Sequence, residues 1–478
     1  MKRVEIVHYT GATAKSHSVV ASLALDHIEA GNSVSVIDLA KTTHIHQGFP
    51  PRIVAQLLGH QIRQPALADI VLSRGGTYET LAIPSAQEPP RSEHIAALEQ
   101  AVESELLTYF RLDHIPRNRE SSRLRTSLTQ KMHQTYLALD ARWAYSRPDT
   151  VLIPNGRTSR QKAARLVAEH HGIDVLLYEN GRATPDSYYL GTTQPHDRVA
   201  SQEELLGGFP MPQDQALEAQ AASWLAERMG SDSKTNPFSA VWEGATKKKK
   251  ESSQPRAVFF ASSFDEFLAF GPMWALDDWS HQFEAFDLIM SHWERQGVAI
   301  ALRLHPNLVA KSRAYFRREV DQVLALKKAH PSLTIHWHNS SVNSYDLVKE
   351  ATYVIVERST IGLEASLMGK PVWVTQATQW DLVADIRQLL TPSDITPENL
   401  EPWPASPEGA RRFVAYWMAQ ERPLRYSWAN WSSWNPERAP TKMKLAQLAL
   451  RNSPSHKFRL MRLEHARSRN SRFQPPAL

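Results

Sequence analysis

Two hydroxyl side chains after a buried strand are the residues best placed to bind a phosphate group. Val354–Val356 is an apolar, β-branched run that predicts a strand, and Ser359 and Thr360 follow it at the start of a predicted helix. Free backbone N–H groups at a helix start favour an anion. Glu364 falls one turn into this helix, where its carboxylate could accept hydrogen bonds from a ribose. An ordinary capped helix with Glu364 on its solvated face is the alternative interpretation.

A second polar strand end lies upstream of these hydroxyls. Val298–Leu304 predicts an apolar strand that contains Arg303, and His305 follows it directly. The next residue, Pro306, forces the chain out of the sheet. In open α/β sheets ligands bind at the carboxyl ends of strands. We therefore expect Arg303 and His305 to face the same crevice as the hydroxyl pair and to hold a pyrophosphate or a nucleotide monophosphate.

These motifs, taken together, resemble those of a known enzyme family. They are Arg303-Leu-His305-Pro306, Asn343-Ser344-Tyr345, and Ser359-Thr360 followed by Glu364. They look like the nucleotide-binding half of the capsule-polysaccharide-synthesis glycosyltransferases. That group is similar to the bacterial Kdo transferases and sialyltransferases, which share a His-Pro motif and a Ser-Ser/Thr motif. The resemblance implies an α/β fold of the GT-B type, in which two Rossmann-like domains with parallel sheets face each other across a cleft. Tyr345 would then contact the base or the phosphate.

The resemblance covers roughly residues 150–376 and supplies the remaining site residues. Their expected place is the cleft or the acceptor site: Asn155, Arg157, Asp186, His196, Ser263 and Glu266. The acidic motif of the family is two acidic residues and a glycine, whereas this chain has Glu179-Asn180-Gly181. Glu179 keeps the first acid and is the predicted general base. Asp186 and His196, on the loop that follows, are the alternative bases.

Two β-α-β units must position these residues in the first half of the chain. Val4–Tyr9, Ala14–Ala30 and Ser33–Leu39 predict the opening strand, helix and strand, without the spaced glycines of a dinucleotide-binding fingerprint. Val151–Pro154 and Ile173–Tyr178 predict two further strands around a helix. The polar turns that follow these two strands would open toward one crevice, where Glu179 lies.

The length of 478 residues exceeds what one hydrophobic core usually supports, so two domains are expected. The expected segments are an N-terminal Rossmann-like acceptor domain (1–230), a linker (231–256), a C-terminal nucleotide-sugar-binding domain (257–400), terminal helices that return to the first domain (401–455) and a basic tail (456–478). The linker is polar and carries four consecutive lysines, Lys247–Lys250.

Composition excludes several classes of site. The chain has no cysteine, which rules out disulfides, thiolate zinc sites, iron–sulfur clusters and a cysteine nucleophile. It has no apolar run long enough for a membrane span and opens directly on a predicted strand, so we expect a cytoplasmic protein. The net charge of +5 matches the excess in the tail, where six Lys and Arg stand against one Glu. A solvated tail is the first interpretation, and peripheral contact with anionic lipid on the inner membrane face is the second.

The predicted reaction is inverting transfer of a sugar from a nucleotide-activated donor to a surface or capsular glycan, free or lipid-linked. The resemblance favours a CMP-sugar, with UDP-sugars, GDP-sugars and CDP-glycerol left open. No Asp-x-Asp motif stands at a strand end, so we expect metal-independent catalysis without a cofactor and without a nucleic-acid partner. Two alternatives are a nucleotide-sugar epimerase of the same architecture and a catalytically silent nucleotide-binding partner in polysaccharide assembly.

Overall fold

A computed structural model describes most of the chain. The described residues are 1–8, 14–39, 60–81, 89–110, 112, 114–230, 233, 236, 254–263, 267–274 and 278–425. Glu266, most of the expected linker, the segment 426–455 and the basic tail lie outside the described residues, as does the expected strand end at Tyr9.

The first sheet has seven strands among the described residues. They are β1 (Arg3–His8), β2 (Ser33–Asp38), β3 (Thr77–Thr80), β4 (Thr150–Pro154), β5 (Asp174–Asn180), β6 (Ser187–Gly191) and β13 (Glu421–Pro423), in the order β13-β6-β5-β4-β1-β2-β3. β1 to β5 pair in parallel, whereas β6 pairs antiparallel with both β5 and β13. The helices of this half are α1 (Ala14–Glu29), α2 (His60–Ser73), α3 (Ser92–Phe110), α4 (Arg119–Tyr145), α5 (Ser159–His170), α6 (Arg198–Leu206) and α7 (Asp214–Met229).

The second sheet is parallel throughout. Its strands are β7 (Arg256–Phe260), β8 (Ala299–Arg303), β9 (Thr334–His336), β10 (Tyr353–Val356), β11 (Val372–Val374) and β12 (Arg387–Gln388), in the order β12-β11-β10-β7-β8-β9. Its helices are α8 (Gln282–Arg295), α9 (Arg313–Ala329), α10 (Ser344–Glu350), α11 (Ile361–Leu367), α12 (Pro397–Leu400) and α13 (Glu408–Ala419).

The two sheets repeat one topology, and the expected fold class of two Rossmann-like α/β units is confirmed. In each, the third, second and first strands are followed across the sheet by the fourth and fifth, the order typical of nucleotide-binding sheets. The direction of winding reverses between β1 and β4 in the first sheet and between β7 and β10 in the second. A crevice opens at such a reversal, at the carboxyl ends of the strands.

Helices cover both faces of each sheet, which explains the nearly continuous apolar strands. Along β1, Ile6 and Val7 are both fully buried but belong to different core clusters, because successive side chains point to opposite faces. Ile355 and Val356 divide in the same way in β10. Burying one such side chain stabilises the fold by about 1.5–3 kcal/mol.

Elements from the two halves of the sequence share one core. Trp224 of α7 and Phe413 of α13 belong to the same buried cluster as Val258 and Val354 of the second sheet. From α13 the chain continues into β13, which pairs with β6 of the first sheet. The helices before the polar segment and the helix at the end of the described chain therefore both connect the two sheets. Among the described residues, no helix is both long and apolar enough to cross a membrane.

Buried histidines in these cores predict an acid-sensitive fold. His8 ends β1 and is 2% exposed, with its ring 4.8 Å from that of His17. Burial, and then His17, hold the pKa of His8 well below its usual 6.5. His8 therefore binds a proton more readily in the unfolded chain than in the folded chain, and stability is lost as the pH falls below about 6.5. His8→Gln should reduce this loss by up to about 1.4 kcal/mol per pH unit, as measured by urea unfolding between pH ~7 and pH ~5.

His330 provides the control of opposite sign. Burial alone would lower its pKa, but hydrogen bonds to Glu294 and Asp287 raise it. Its contribution is present at low pH and is lost as the pH rises through the folded-state pKa, so His330→Gln should steepen the acid loss. Parallel stability curves for wild type and His8→Gln would contradict the assignment.

Candidate active site

Asn155 and Glu179 meet at the carboxyl edge of the first sheet. Asn155 follows β4, Glu179 lies near the end of β5, and the Asn155 amide Nδ2 donates to Glu179 Oε2. Asn155 has a φ of 57°, in the left-handed region. This conformation costs an ordinary residue about 1–2 kcal/mol, and asparagine tolerates it better than most. Such residues cluster at functional sites, and here the geometry aims the amide at the predicted base.

Arg182 and His196 form a pair beside this carboxylate. Arg182 Nη1 lies 2.8 Å from His196 Nδ1, and a guanidinium can only donate, so Nδ1 accepts and the neutral ring carries its proton on Nε2. Burial, followed by Arg182 and Arg157, holds the pKa of His196 well below 6.5. Burial also lowers the pKa of Arg182, which Glu179 and Glu421 partly oppose. In this arrangement His196 presents a hydrogen-bond donor rather than a free basic nitrogen.

The segment Phe267–Trp274 joins this edge to the second sheet. The ring of Phe270 stacks on His196 with centroids 3.8 Å apart. Arg157 donates to the Ala269 carbonyl over 2.5 Å and lies over the Phe270 ring. Trp274 Nε1 donates to the His196 carbonyl over 2.9 Å. Two of the predicted cleft residues, Arg157 and His196, therefore contact the second half of the chain directly.

On its other side, this segment contacts the winding reversal of the second sheet. Arg358, which follows β10, donates through Nη1 to the Trp274 carbonyl over 2.6 Å and through Nη2 to Gln376 Oε1 over 2.6 Å. The Arg358 backbone N–H donates to Ser262 Oγ over 3.1 Å, which links the turns that follow the paired strands β10 and β7. The carboxyl edges of the two sheets thus meet at one junction, which contains Glu179 on one side and Arg358 on the other.

Four of the predicted site residues follow strands of this second edge. His305 comes after β8, Ser263 after β7, and Ser359 and Thr360 after β10, and these strands are neighbours in a parallel sheet. His305 Nδ1 accepts from the Asn307 N–H over 3.1 Å, and Ser263 is buried. Parallel pairing therefore places these four residues at one edge of the sheet, and their binding of a phosphate stays a prediction.

The helix start differs in one detail from its prediction. Either Ser359 or Thr360 could cap this helix, and Thr360 occupies the N-cap position of α11, but its hydroxyl makes no capping hydrogen bond. The reason is its backbone, which is helical (φ −59°, ψ −18°) instead of extended, so the hydroxyl cannot turn back toward the next N–H groups. At the other end, Gly369 has a φ of 69° just after α11, as expected for a helix stop.

Arg303 is buried and bound to backbone. Its guanidinium donates to the carbonyls of Trp337 over 2.5 Å and Ser340 over 3.1 Å, which ties β8 to the segment after β9. Burial lowers the pKa of Arg303 to about 10. These contacts give it a structural role, and phosphate binding by Arg303 stays a prediction.

Glu364 and Tyr345 lie in a buried ionic cluster. Glu364 is 2% exposed, and its carboxylate pairs with Arg228 at the end of α7. The Tyr345 hydroxyl hydrogen bonds to Glu364 and lies 3.5 Å from Asn236 Nδ2. Although burial alone would lower the pKa of Arg228, Glu364 and Tyr345 raise it. A ribose would have to compete with Arg228 for this carboxylate.

The remaining predicted residue of the first half, Asp186, lies on the loop between β5 and β6. Its φ is 49°, and its carbonyl accepts from the Leu424 N–H over 2.8 Å. These facts show a backbone role for Asp186, and its use as a base stays a prediction. Glu266 lies outside the described residues.

Sequence reasoning missed Arg358 and its neighbour Glu357. Glu357 is fully buried, and burial raises the pKa of its carboxyl group, with Arg358, His281, Glu319 and Ser262 around it. A signal was present, since a charged pair directly after the apolar run of β10 is unusual for a buried segment unless it has partners. Arg182 was missed because nothing in the spacing of the loop marks it.

Two cavities of the described chain are lined by residues other than the predicted catalytic and phosphate-binding side chains. A cavity of about 480 Å³ is lined by Phe209, Met211 and Glu421, and another of about 680 Å³ by Glu5, Glu79 and Arg142. Neither is lined by Glu179, His305 or Ser359. Within the described ranges, no three His, Asp or Glu side chains gather as a metal site would require.

Several solved structures are similar to this chain at low sequence identity. Kdo transferases are among them. The KpsC β-Kdo 2,4 transferase of Thermosulfurimonas dismutans is 17% identical, with a TM-score of 0.35 over 57% of this chain and 80% of that one. The glycosyltransferase of kitacinnamycin is 11% identical, with a TM-score of 0.29 over 95% and 99%. The UDP-GlcNAc 2-epimerase from Neisseria meningitidis, bound to UDP-GlcNAc, is 11% identical, with a TM-score of 0.30 over 87% and 100%.

No protein-family model and no curated protein matches the sequence.

The buried ion pair between Arg228 and Glu364 generates a stability prediction. Arg228→Met leaves a buried carboxylate without its cation, which should cost about 3–5 kcal/mol of unfolding free energy. The double variant Arg228→Met/Glu364→Leu should recover most of that loss, because it removes both charges. Urea unfolding followed by tryptophan fluorescence measures both effects.

The exposed pair Arg411 and Glu218 is the matched control. Its N–O distance is 2.9 Å, and the Glu218 side chain is 62% exposed. Glu218→Ala should change the unfolding free energy by less than about 1 kcal/mol. A loss in Arg228→Met no larger than in this control would contradict the buried-pair assignment.

Proposed function

We propose that this protein is a glycosyltransferase that moves a sugar from a nucleotide-activated donor to a glycan acceptor with inversion at the anomeric carbon. The observation that carries the proposal is the meeting of the two carboxyl edges at the segment Phe267–Trp274. One edge supplies a carboxylate, Glu179, and the other supplies the hydroxyl and imidazole groups expected at a phosphate site. Nucleotides bind at this edge of Rossmann-like sheets, at the winding reversal.

The donor nucleotide would bind to the second sheet. His305, Ser359 and Thr360 would contact its phosphate, with Arg303 behind them. Glu364 and Tyr345 would contact the nucleoside if the ribose displaces Arg228 from Glu364. Negative charge grows on the phosphate as the bond to the sugar breaks, and preorganised donors stabilise this charge most in the transition state. Loss of one such hydrogen-bond donor typically lowers the rate by about 100- to 1000-fold.

The acceptor would bind to the first sheet, beside Glu179. Its hydroxyl oxygen attacks the anomeric carbon on the face opposite the phosphate, and the electron pair of the broken bond leaves with the nucleotide. Glu179 takes the hydroxyl proton, while Asn155 holds the carboxylate in place. A CMP-sugar is the favoured donor and a surface or capsular glycan the favoured acceptor, as the motif resemblance implies. Side chains at the two sheet edges would then stabilise the phosphate charge and accept the proton without a metal ion.

Glu179→Gln should lower turnover by roughly 100-fold or more, because the amide cannot accept the proton. Nucleotide binding should be retained, since Glu179 lies on the other sheet. Initial rates with a CMP-sugar and a glycan acceptor, together with calorimetric titration of CMP, measure the two effects. Near-full activity in Glu179→Gln, with activity lost in Asp186→Asn or His196→Ala, would move the base to that residue.

Nucleotide binding tests the donor site separately. CMP at 100 times its dissociation constant should stabilise the fold by about 2.7 kcal/mol, which a thermal-shift assay detects. His305→Ala should reduce this shift much more than it reduces the melting temperature without ligand. The control is His292→Ala, which should leave the shift unchanged, because His292 lies in α8 and hydrogen bonds to Gln296 just after this helix. A shift with UDP or GDP but not with CMP would reassign the donor, and no shift with any nucleotide would contradict the site.

Assays of the purified protein with nucleotide-sugars distinguish the two alternative functions. An epimerase would convert the nucleotide-sugar without an acceptor, and a chromatographic assay of the sugar would reveal the epimer. A silent partner would bind the nucleotide but turn over no donor in the presence of acceptor.

A further inference from the structure

Glu421 makes an unusual number of hydrogen bonds for a partly exposed carboxylate. It begins β13, and the backbone N–H groups of Arg182, Ala183 and Thr184 donate to it over 2.5, 2.7 and 2.8 Å. The Thr184 hydroxyl donates over 2.8 Å, and Ser187 Oγ lies 2.6 Å away. Three consecutive N–H groups that converge on one carboxylate form a concave anion site, of the kind that elsewhere holds phosphate.

The loop that forms this anion site is held in a fixed shape. Gly181 opens the loop, and a Cβ there would lie 1.9 Å from Ser187 Oγ, so no other residue fits without movement. The Gly181 N–H donates to the Ser187 carbonyl over 2.9 Å. The loop is therefore a short, closed turn that brings its N–H groups to one point, and Glu421 fills that point from a distant part of the chain.

The same loop carries groups of the candidate active site. It opens two residues after Glu179, and Arg182 uses its backbone N–H for Glu421 and its side chain for His196. His196 in turn stacks on Phe270 of the junction segment. A movement of the loop would shift the Arg182 guanidinium beside Glu179 and change its hydrogen bond to His196.

Glu421 is also tied to the second sheet. It comes two residues after α13, which packs against α11, the helix that carries Glu364. At the start of α13, a Cβ on Gly409 would lie 1.9 Å from the Val383 carbonyl, so this helix lies closely against the second half of the chain. One short connection therefore links the predicted nucleotide helix to the loop beside the predicted base.

We infer that the loop Arg182–Thr184 is an anion-binding site that Glu421 occupies within the chain, and that Glu421 is thereby a positioning residue for Arg182 and His196. Glu421 touches neither reacting group and acts through the loop. The effect on turnover rests on the proposed function, whereas anion binding by the loop does not.

Glu421→Ala tests both anion binding by the loop and the positioning role of Glu421, because it removes the carboxylate from the site and puts no other group in its place. The melting temperature should fall, and turnover should fall by about tenfold to a hundredfold, the scale expected for misplaced groups. The dissociation constant for CMP should stay within about threefold of wild type, since the nucleotide site lies on the other sheet. Sodium formate, compared with sodium chloride at equal ionic strength, should restore the melting temperature and part of the turnover, because an anion that binds only the folded chain stabilises it.

Two variants control for general effects. Glu421→Gln keeps the size of the side chain but places an amide N–H₂ among donors, so it should lose turnover and formate should not restore it. If Glu421→Ala does not fold, Glu421→Gln replaces it as the variant that tests the role of the carboxylate. Glu218→Ala removes a carboxylate on α7 that pairs with Arg411 of α13, and formate should not affect it.

NMR titration of His196, assigned by comparison with His196→Gln, gives a readout without turnover. Its pKa should move toward the ordinary value in Glu421→Ala and return with formate, because Arg182 is then held again beside the ring. The inference is overturned if formate acts no better than chloride, if Glu421→Ala behaves as wild type, or if CMP binding falls in proportion to turnover. Formate rescue of stability and of the His196 titration without any glycosyl transfer would refute the proposed function alone.

Discussion

Parallel strand pairing is the constraint on which the candidate site depends. When neighbouring strands run in the same direction, all of them end at one edge, and the residues that follow them are brought together across long stretches of sequence. Ser262, His305 and Ser359 meet this condition in the second sheet, and Asn155 and Glu179 meet it in the first. Because each sheet reverses its winding beside its first strand, helices diverge there and leave space for a ligand.

The junction between the two edges consists of directed contacts more than of apolar packing. Arg358 divides its donors between a backbone carbonyl and the Gln376 amide, and Trp274 uses its carbonyl for Arg358 and its ring N–H for the His196 carbonyl. Hydrogen bonds of this kind each contribute only about 0.5–1.5 kcal/mol, yet breaking one in a buried setting costs more. Such contacts fix the relative position of two surfaces, which a smooth apolar interface would leave free to slide.

The sequence was a good guide to the sheets and a weaker one to the contacts. Strands and their ends could be predicted because they depend on neighbouring residues. The apolar run Val354–Val356 predicts a strand, and the proline after His305 predicts a strand end. The partner of Glu364 could not be predicted, because Arg228 lies more than a hundred residues away in the sequence and meets Glu364 only through tertiary packing. The missing cap at Thr360 depends on a backbone angle that the residue type does not determine. The role of Glu421 could not be predicted for the same reason, because it meets the loop Arg182–Thr184 only through tertiary packing.

The attachment of α6 and α7 to the second sheet has a mechanical consequence. Gln202 of α6 donates to Asp381 over 2.5 Å, Trp224 of α7 lies in the second core, and Arg228 pairs with Glu364. The part of the chain from α6 to α7 therefore moves with the second sheet, although it precedes the polar segment at 231–256. If substrate closes the two halves, the bending points are the two places where the chain crosses between them, just after β6 and just before β13. A nick in the polar segment would then leave two fragments that stay bound to each other and migrate as one particle.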